Sequence, residues 1–160
     1  MSRYENLLLE AEKSGVNVIE IDIGTTKKYG RYFNNLIVIN SNMNSSEKYC
    51  VLSEELGHHY KTIGDISDQA SMENRKQEVL ARRWGYEKLV GIVDLVNALK
   101  HGCINKYEIA DYLNITEEFL LEVLEYYKCK HPDYFEIDNY YLIFNNGLEV
   151  IEKLQFKYIE

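Results

Sequence analysis

The sequence predicts an α+β fold with a small N-terminal β-sheet, a two-helix unit and an α-helical C-terminal part. Three observations carry this prediction. Residues 16–40 contain short β-branched runs, residues 45–61 and 72–89 have the length and composition of helices, and residues 105–128 have the spacing of a helix-turn-helix pair. We therefore expect the sheet to pack on the two-helix unit, with the remaining helices beyond it.

The N-terminal elements follow from local patterns. Residues 3–13 place apolar side chains at helical spacing. Alternating β-branched residues at 16–23 predict a first strand, and two further extended runs follow at 29–33 and 36–40. Because asparagine tolerates the left-handed backbone that a tight hairpin requires, Asn34-Asn35 predicts the turn between the last two strands.

A helix over residues 45–61 is predicted by its start signal. Asn44 is the candidate N-cap, and Glu47 stands three residues later, where it can answer that cap. A polar loop is expected over residues 62–71. A second long helix is expected over residues 72–89, so two long helices are close in sequence and can pair.

The C-terminal part is predicted to be mostly helical. Residues 90–99 either continue the preceding helix or form a separate one, and residues 105–112 and 116–128 form two more helices. A small hairpin is expected at residues 134–144 and a last short helix at residues 148–156.

Composition excludes several classes of protein. The formal charge of -8, from 18 basic and 26 acidic residues, argues against a general binder of the phosphate backbone. The first twenty residues lack the order of a secretory signal, and no apolar run approaches a bilayer span. Cys50, Cys103 and Cys129 have no paired spacing. We expect a cytoplasmic protein with reduced thiols.

The residues from Glu54 to His59 form the motif that indicates a chemical function. In the metallopeptidase pattern HExxH, two histidines four residues apart bind zinc, and the glutamate after the first histidine accepts a proton from water. Glu55 and His58 keep their places in this chain, whereas Glu54 stands where the first histidine is expected. At about 100° per residue, these three side chains can face one cavity.

A tetrahedral catalytic zinc needs a third protein ligand, and Glu78 is the best candidate. Ala81 and Gly85 lie three and seven residues after it, roughly along one face of the same helix. This strip of small residues would let the helix approach the motif helix closely, as a shared metal requires.

These two motifs resemble the ImmA/IrrE family of metallo-endopeptidases of phages, mobile elements and their bacterial hosts. The matching residues are the motif around Glu55 and His58 and the pattern of Glu78, Ala81 and Trp84. The resemblance implies a zinc ion, cleavage of a helix-turn-helix transcriptional repressor, His58 and Glu78 as metal ligands, and Glu55 as general base. It also implies a zincin-like metallopeptidase core in residues 1–100.

Two interpretations of Glu54 stay open. Its carboxylate can bind zinc in place of the first histidine, giving a site of one histidine and two carboxylates that also suits other divalent ions. Alternatively, the site has lost its metal, and the protein inactivates a repressor by binding it without cutting. His59 lies about 100° further round the helix than His58, which favours a role outside the ligand set. Tyr60 is expected to pack.

The remaining segment, residues 101–160, is predicted to be a mainly helical subdomain with a DNA-binding alternative. Its helix-turn-helix spacing at residues 105–128 would need the second helix to enter the major groove. That helix carries four carboxylates that DNA phosphates would repel: Glu117, Glu118, Glu122 and Glu125. We therefore favour a packing or protein-docking role, and we expect its apolar residues to serve the core: Leu120, Leu121, Val123 and Leu124.

Overall fold

The computed structural model describes residues 1–61 and 72–153. Within these ranges the helices are α1 (Arg3–Lys13), α2 (Ser45–Lys61), α3 (Met72–Leu89), α4 (Ile92–Lys100), α5 (Lys106–Leu113) and α6 (Glu117–Lys130). The strands are β1 (Asn17–Ile21), β2 (Gly30–Phe33), β3 (Leu36–Asn40), β4 (Phe135–Ile137), β5 (Tyr140–Ile143) and β6 (Glu149–Glu152). The fold is α+β, as predicted. The predicted loop at 62–71 lies outside the described residues.

The first sheet has the strand order β1-β3-β2. β3 pairs in parallel with β1 and antiparallel with β2, so β3 is the central strand and its Ile37 and Ile39 are fully buried. Asn34 and Asn35 both have positive φ, at 49° and 65°. Two consecutive left-handed residues are what a two-residue hairpin requires, which confirms the predicted turn.

The loop before β2 is anchored by hydrogen bonds from a buried side chain. The fully buried side chain of Asn40 donates hydrogen bonds to the carbonyl oxygens of Thr25 and Lys27, at 2.9 and 2.7 Å. Its own side-chain oxygen accepts from the backbone of Asn42 at 3.1 Å. These bonds satisfy a buried amide and define the path of the loop that carries Lys28.

α2 begins as predicted. The side-chain oxygen of Asn44 accepts from the backbone N–H of Glu47 at 2.9 Å, and its amide nitrogen donates to the Glu47 carboxylate at 3.1 Å. The cap satisfies one of the free amides at the start of the helix. α2 then packs on both β2 and β3 and, most extensively, on α3.

α4 is a separate helix, which resolves the alternative left by the sequence. Gly91 has extended backbone and precedes α4 as its N-cap. The Asp94 carboxylate accepts from the backbone N–H of Gly91 at 2.8 Å, so the new helix has its own start. The glycine breaks the periodicity that would otherwise join α3 and α4.

α5 and α6 form the predicted helix pair. Asn114 ends α5 in the left-handed conformation, with φ of 55°, and the Thr116 side chain caps α6 by accepting from Phe119 at 3.1 Å. Leu120 is fully buried, but Leu121 is 48% exposed, so its predicted core role is wrong. At about 100° per residue, Leu121 is turned away from the core face that Leu120 occupies.

The segment after α6 differs from the prediction. The predicted hairpin is present as β4 and β5, but residues 149–152 form β6 rather than part of a helix at 148–156. β6 pairs antiparallel with β5, with Ile151 opposite Tyr141. The β-branched pair Val150-Ile151 favours extended backbone, and the free edge of β5 supplies its partner. Residues beyond 153 lie outside the described ranges.

One hydrophobic cluster includes residues from both parts of the chain. Buried side chains run from Tyr4 and Leu7 in α1 through Leu52 in α2 to Leu142 in β5. The division of the chain at residue 100 stays a prediction. Among the described helices, none combines the length and the apolar character that crossing a bilayer would require.

Candidate metal centre

Three potential metal ligands converge between α2 and α3. Glu54 and His58 lie one turn apart on α2, and Glu78 reaches them from α3. Each residue offers one ligand atom, and these atoms all lie within 4.8 Å of one another. The structure therefore brings together the three residues that the sequence predicts as metal ligands.

The imidazole of His58 contacts the carboxylate of Glu78. His58 Nε2 lies 3.3 Å from Glu78 Oε2, and His58 is only 6% exposed. The hydrogen bond from His58 holds the pKa of Glu78 below its ordinary value. Burial lowers the pKa of His58, but the Glu78 hydrogen bond and the nearby carboxylates outweigh burial and raise it on balance.

Glu54 has two neighbours of opposite character. Arg82 on α3 places its Nε 3.3 Å from Glu54 Oε1, and the Glu78 carboxylate hydrogen-bonds to Glu54 on the other side. Burial raises the pKa of Glu54, and the Arg82 guanidinium opposes that rise. Glu54 thus lies between a carboxylate and the guanidinium, both supplied by α3.

Glu55 occupies a more enclosed position than Glu54. It is 8% exposed and faces β2, where its carboxylate accepts a hydrogen bond from the backbone of Tyr32. Burial raises the pKa of Glu55 to about 7, although His58 acts against the shift. A carboxyl group with a pKa near neutrality can exchange protons at physiological pH, as a general base must.

Glycines allow these close approaches. A Cβ on Gly57 would lie 2.2 Å from the backbone oxygen of Ala81, and one on Gly85 would lie 2.9 Å from Ser53 Oγ. On the sheet side, a Cβ on Gly30 would lie 2.3 Å from Val51 and 3.0 Å from Glu55. The predicted close approach of α3 is therefore present, and Gly57 contributes to it from α2.

Sequence reasoning missed Gly57, Gly30 and Arg82. Gly57 left a usable signal, because a glycine inside a helix costs about 1 kcal/mol and usually has a packing reason. The sequence contains no comparable signal for Gly30 or Arg82, since their roles depend on how the sheet and α3 are placed against α2.

The residues after His58 form an aromatic cluster. His59 Nδ1 lies 2.9 Å from the Tyr32 hydroxyl, and Tyr60 stacks on Trp84 with ring centroids 4.9 Å apart. The Tyr60 hydroxyl also hydrogen-bonds to Ser14 Oγ. These contacts give Tyr60 the packing role that was predicted and place His59 outside the ligand cluster.

A cavity of about 110 Å³ lies beside Glu54. It is lined by α2 and by Thr116, the cap of α6, together with Phe119 and Glu122 of α6. Lys28 pairs with Glu118 at 2.9 Å across its rim. Glu118 and Glu122 of α6 thus line the same cavity as Glu54, the one metal-ligand candidate that reaches it.

Residues 11–141 match the family model of the IrrE N-terminal-like domain, peptidase M78. The chain belongs to this family. No curated protein and no solved structure matches it. The family match confirms the resemblance to ImmA/IrrE proteins and a family of metallopeptidase type. It spans the candidate metal centre and also both helices of the helix-turn-helix pair.

The donor set of this M78 protein suits a divalent metal. Ligands at about 2.1 Å from a tetrahedral ion lie roughly 3.4 Å apart. His58 Nε2 and Glu78 Oε2, at 3.3 Å, are close to this spacing. The contact between the Glu54 and Glu78 carboxylates would be unfavourable if both were ionised, and a bound cation would relieve it.

Proposed function

We propose that this protein is a cytoplasmic zinc-dependent endopeptidase that cleaves a helix-turn-helix transcriptional repressor of a phage or mobile element. The observation that carries the proposal is the convergence of Glu54, His58 and Glu78 within 4.8 Å, beside the buried Glu55. The M78 family match supports peptide hydrolysis as the reaction class. The zincin-like arrangement and the repressor substrate come from the family resemblance.

In this proposal Glu54, His58 and Glu78 hold the ion. When bound, the ion supplies Lewis-acid chemistry for attack of water on a peptide carbonyl. Glu55 accepts the proton from the attacking water and passes it to the leaving amine. Burial of Glu55 supports that role, because its carboxyl group has a pKa of about 7 in the metal-free chain and is suited to both transfers.

β2 gives the candidate site a place for an extended peptide. It is an edge strand of the first sheet, and Tyr32 in its middle bonds to Glu55 through the backbone. An extended segment can add to such an edge through main-chain hydrogen bonds. The substrate backbone would then run past Glu55.

A second candidate function rests on the ion pair between Glu54 and Arg82. Since Arg82 pairs with Glu54, it offsets part of the charge of the pocket without a metal. The protein would then inactivate a repressor by binding it without cleavage.

DNA binding through α5 and α6 is disfavoured. Two of the α6 carboxylates already have partners within the protein, since Glu118 pairs with Lys28 at the surface and Glu122 accepts from the Tyr86 hydroxyl at 2.8 Å. The remaining acidic groups would repel phosphates. DNA binding of this kind would show a steep salt dependence, which a titration at low salt measures directly.

Incubation with a repressor encoded next to the gene tests the proposal. The expected result is time-dependent cleavage in zinc, with no cleavage in chelator. Glu55→Gln should reduce the rate by about 10²–10⁴-fold, because it removes the base but keeps the shape of the side chain.

The two candidate functions separate in the same experiment. If the repressor stays intact in zinc but co-purifies equally with the wild type and Glu55→Gln, the non-cleaving function is correct. If the repressor is cut at the same rate by both proteins, Glu55 is not the base.

A further inference from the structure

Arg82 is placed to compensate for the unusual residue at position 54. It lies one turn after Glu78 on α3, and its Nε is 3.3 Å from Glu54 Oε1. Residues four apart on a helix share a face, so the same face of α3 supplies both a metal-ligand candidate and a cation. Arg82 therefore brings a permanent positive charge to the edge of the ligand cluster.

The charge of the cluster shows what this cation does. Two histidines and one carboxylate carry a formal charge of -1, whereas Glu54, His58 and Glu78 carry -2 when the imidazole is neutral. A guanidinium at Glu54 returns the sum to -1. Extra negative charge makes a bound ion a weaker Lewis acid, and a neighbouring positive charge opposes that loss.

We propose that Arg82 is a positioning residue that offsets the charge of Glu54, so that this one-histidine site has the electrostatic character of a two-histidine site. The inference rests on the proposed metal-dependent function. It assigns Arg82 two opposite effects, since its charge weakens the binding of a divalent ion and also preserves the reactivity of the ion once bound.

A guanidinium suits this role better than an ammonium. It stays charged in any accessible pH range, and its planar fork keeps orientation towards a carboxylate. The Arg82 side chain is 52% exposed, so it can reach Glu54 while the rest of the group stays hydrated. Arg83, the next residue, points elsewhere and lies over the Tyr126 ring at 5.8 Å.

The first test is a zinc titration of the metal-free protein by calorimetry. Arg82→Gln should lower the zinc Kd by on the order of tenfold, because it removes a positive charge close to the ion. The same variant should cleave its repressor more slowly. Arg83→Gln is the matched control, since it removes the same charge from the adjacent position and should change the zinc Kd by less than about twofold.

Tighter zinc binding together with slower cleavage is a signature that loss of structure does not produce. Arg82→Lys keeps the charge and should give a zinc Kd close to that of the wild type. When Glu54→His is introduced first, adding Arg82→Gln should lower the zinc Kd by less than it does in the wild type, because Arg82 then lacks its Glu54 partner and only the carboxylate of Glu78 keeps it near the ion.

The possible outcomes separate this inference from the proposed function. A wild-type chain that binds no zinc would overturn both. Zinc binding by the wild type with an unchanged or weaker Kd in Arg82→Gln would overturn the role of Arg82 alone. An equal effect of Arg82→Gln in the wild-type and Glu54→His backgrounds would also contradict it, since the pair would then carry no coupling.

Discussion

The two helix pairs of the protein, α2 with α3 and α5 with α6, use their interfaces in opposite ways. The first pair approaches closely at Gly57 and Gly85 and directs carboxylates and an imidazole into the space between the helices. The second pair is joined by a short turn and buries leucines such as Leu113 and Leu120. One interface holds ionisable groups together, and the other supplies apolar burial.

This difference shows where stability and function lie in the chain. Buried apolar area stabilises the fold, whereas buried carboxylates cost free energy unless they are paired or bind a cation. The α2 and α3 pair therefore needs support from elsewhere, and the core that continues through α6 to Leu142 provides it. Substitutions in the two pairs should affect different observables.

The largest expected effect on stability is in the second pair. Leu120→Ala should lower the free energy of unfolding by about 3 kcal/mol, because a fully buried leucine leaves a cavity. Urea unfolding measures this loss, and zinc titration of the folded variant should give the wild-type Kd. An accompanying loss of zinc affinity would show that the α5 and α6 pair also affects metal binding, against this division of roles.

Gly57→Ala should cost about 2 kcal/mol and also weaken zinc binding. The new Cβ would lie 2.2 Å from the Ala81 backbone oxygen, so the helices must move apart. Gly85→Ala is the graded control, since its Cβ would lie 2.9 Å from the Ser53 hydroxyl and 3.4 Å from the Ser53 backbone, a less severe overlap than the 2.2 Å at Gly57. We expect both effects to be smaller for Gly85→Ala; equal effects would contradict the dependence on helix separation.

Glu55→Gln should stabilise the metal-free chain by an amount that grows as the pH rises from about 4.5 to about 7 and is constant above that. The folded-state pKa of Glu55 is raised to about 7, so the folded chain binds the extra proton below that pH. The stability that this proton provides is lost as the pH rises through the folded pKa. We expect a gain on the order of 2 kcal/mol at a pH of about 8.5.

The comparison needs two pH values in chelator. At a pH below about 4.5, where the carboxyl group is neutral in both the folded and the unfolded chain, the two proteins should unfold with similar free energies. A gain of the same size at low and high pH would point to packing rather than ionisation as its cause.

The smallest effect is expected at the surface. Lys28→Met removes the ion pair with Glu118, whose side chains are 46% and 72% exposed, and should change stability by less than about 1 kcal/mol. Lys130→Met, which breaks the pair with Glu87, is the control. A larger effect of Lys28→Met alone, measured by urea unfolding, would show that α6 depends on the N-terminal loop.

Local signals predicted most of the fold. α2 was predicted from its first residue because Asn44 and Glu47 are a cap that operates within one turn, and the hairpin followed from Asn34-Asn35. β6 was missed because its partner β5 comes from another part of the chain. The prediction for Leu121 was wrong because all leucines of α6 were expected in the core, although only one face of this helix packs against the core.

The candidate site, like the fold, could be predicted from the sequence only in part. Periodicity alone placed Glu54, Glu55 and His58 on one side of a helix, and the strip of small residues indicated that Glu78 would be near. The pairing of Glu54 with Arg82 was beyond the sequence, because it depends on the rotation of α3 against α2. The metal-binding roles of these residues stay predictions.

The shape of the cavity beside Glu54 and the charge at its rim depend on two different residues, Asn40 and Lys28. The buried amide holds the backbone at Thr25 and Lys27, whereas the Lys28 side chain supplies charge at the rim. A protein engineer can therefore change residue 28 to suit a different substrate and leave the backbone path intact. Asn40→Asp would do the reverse, because a carboxylate cannot donate to the two carbonyls and the rim would lose its shape.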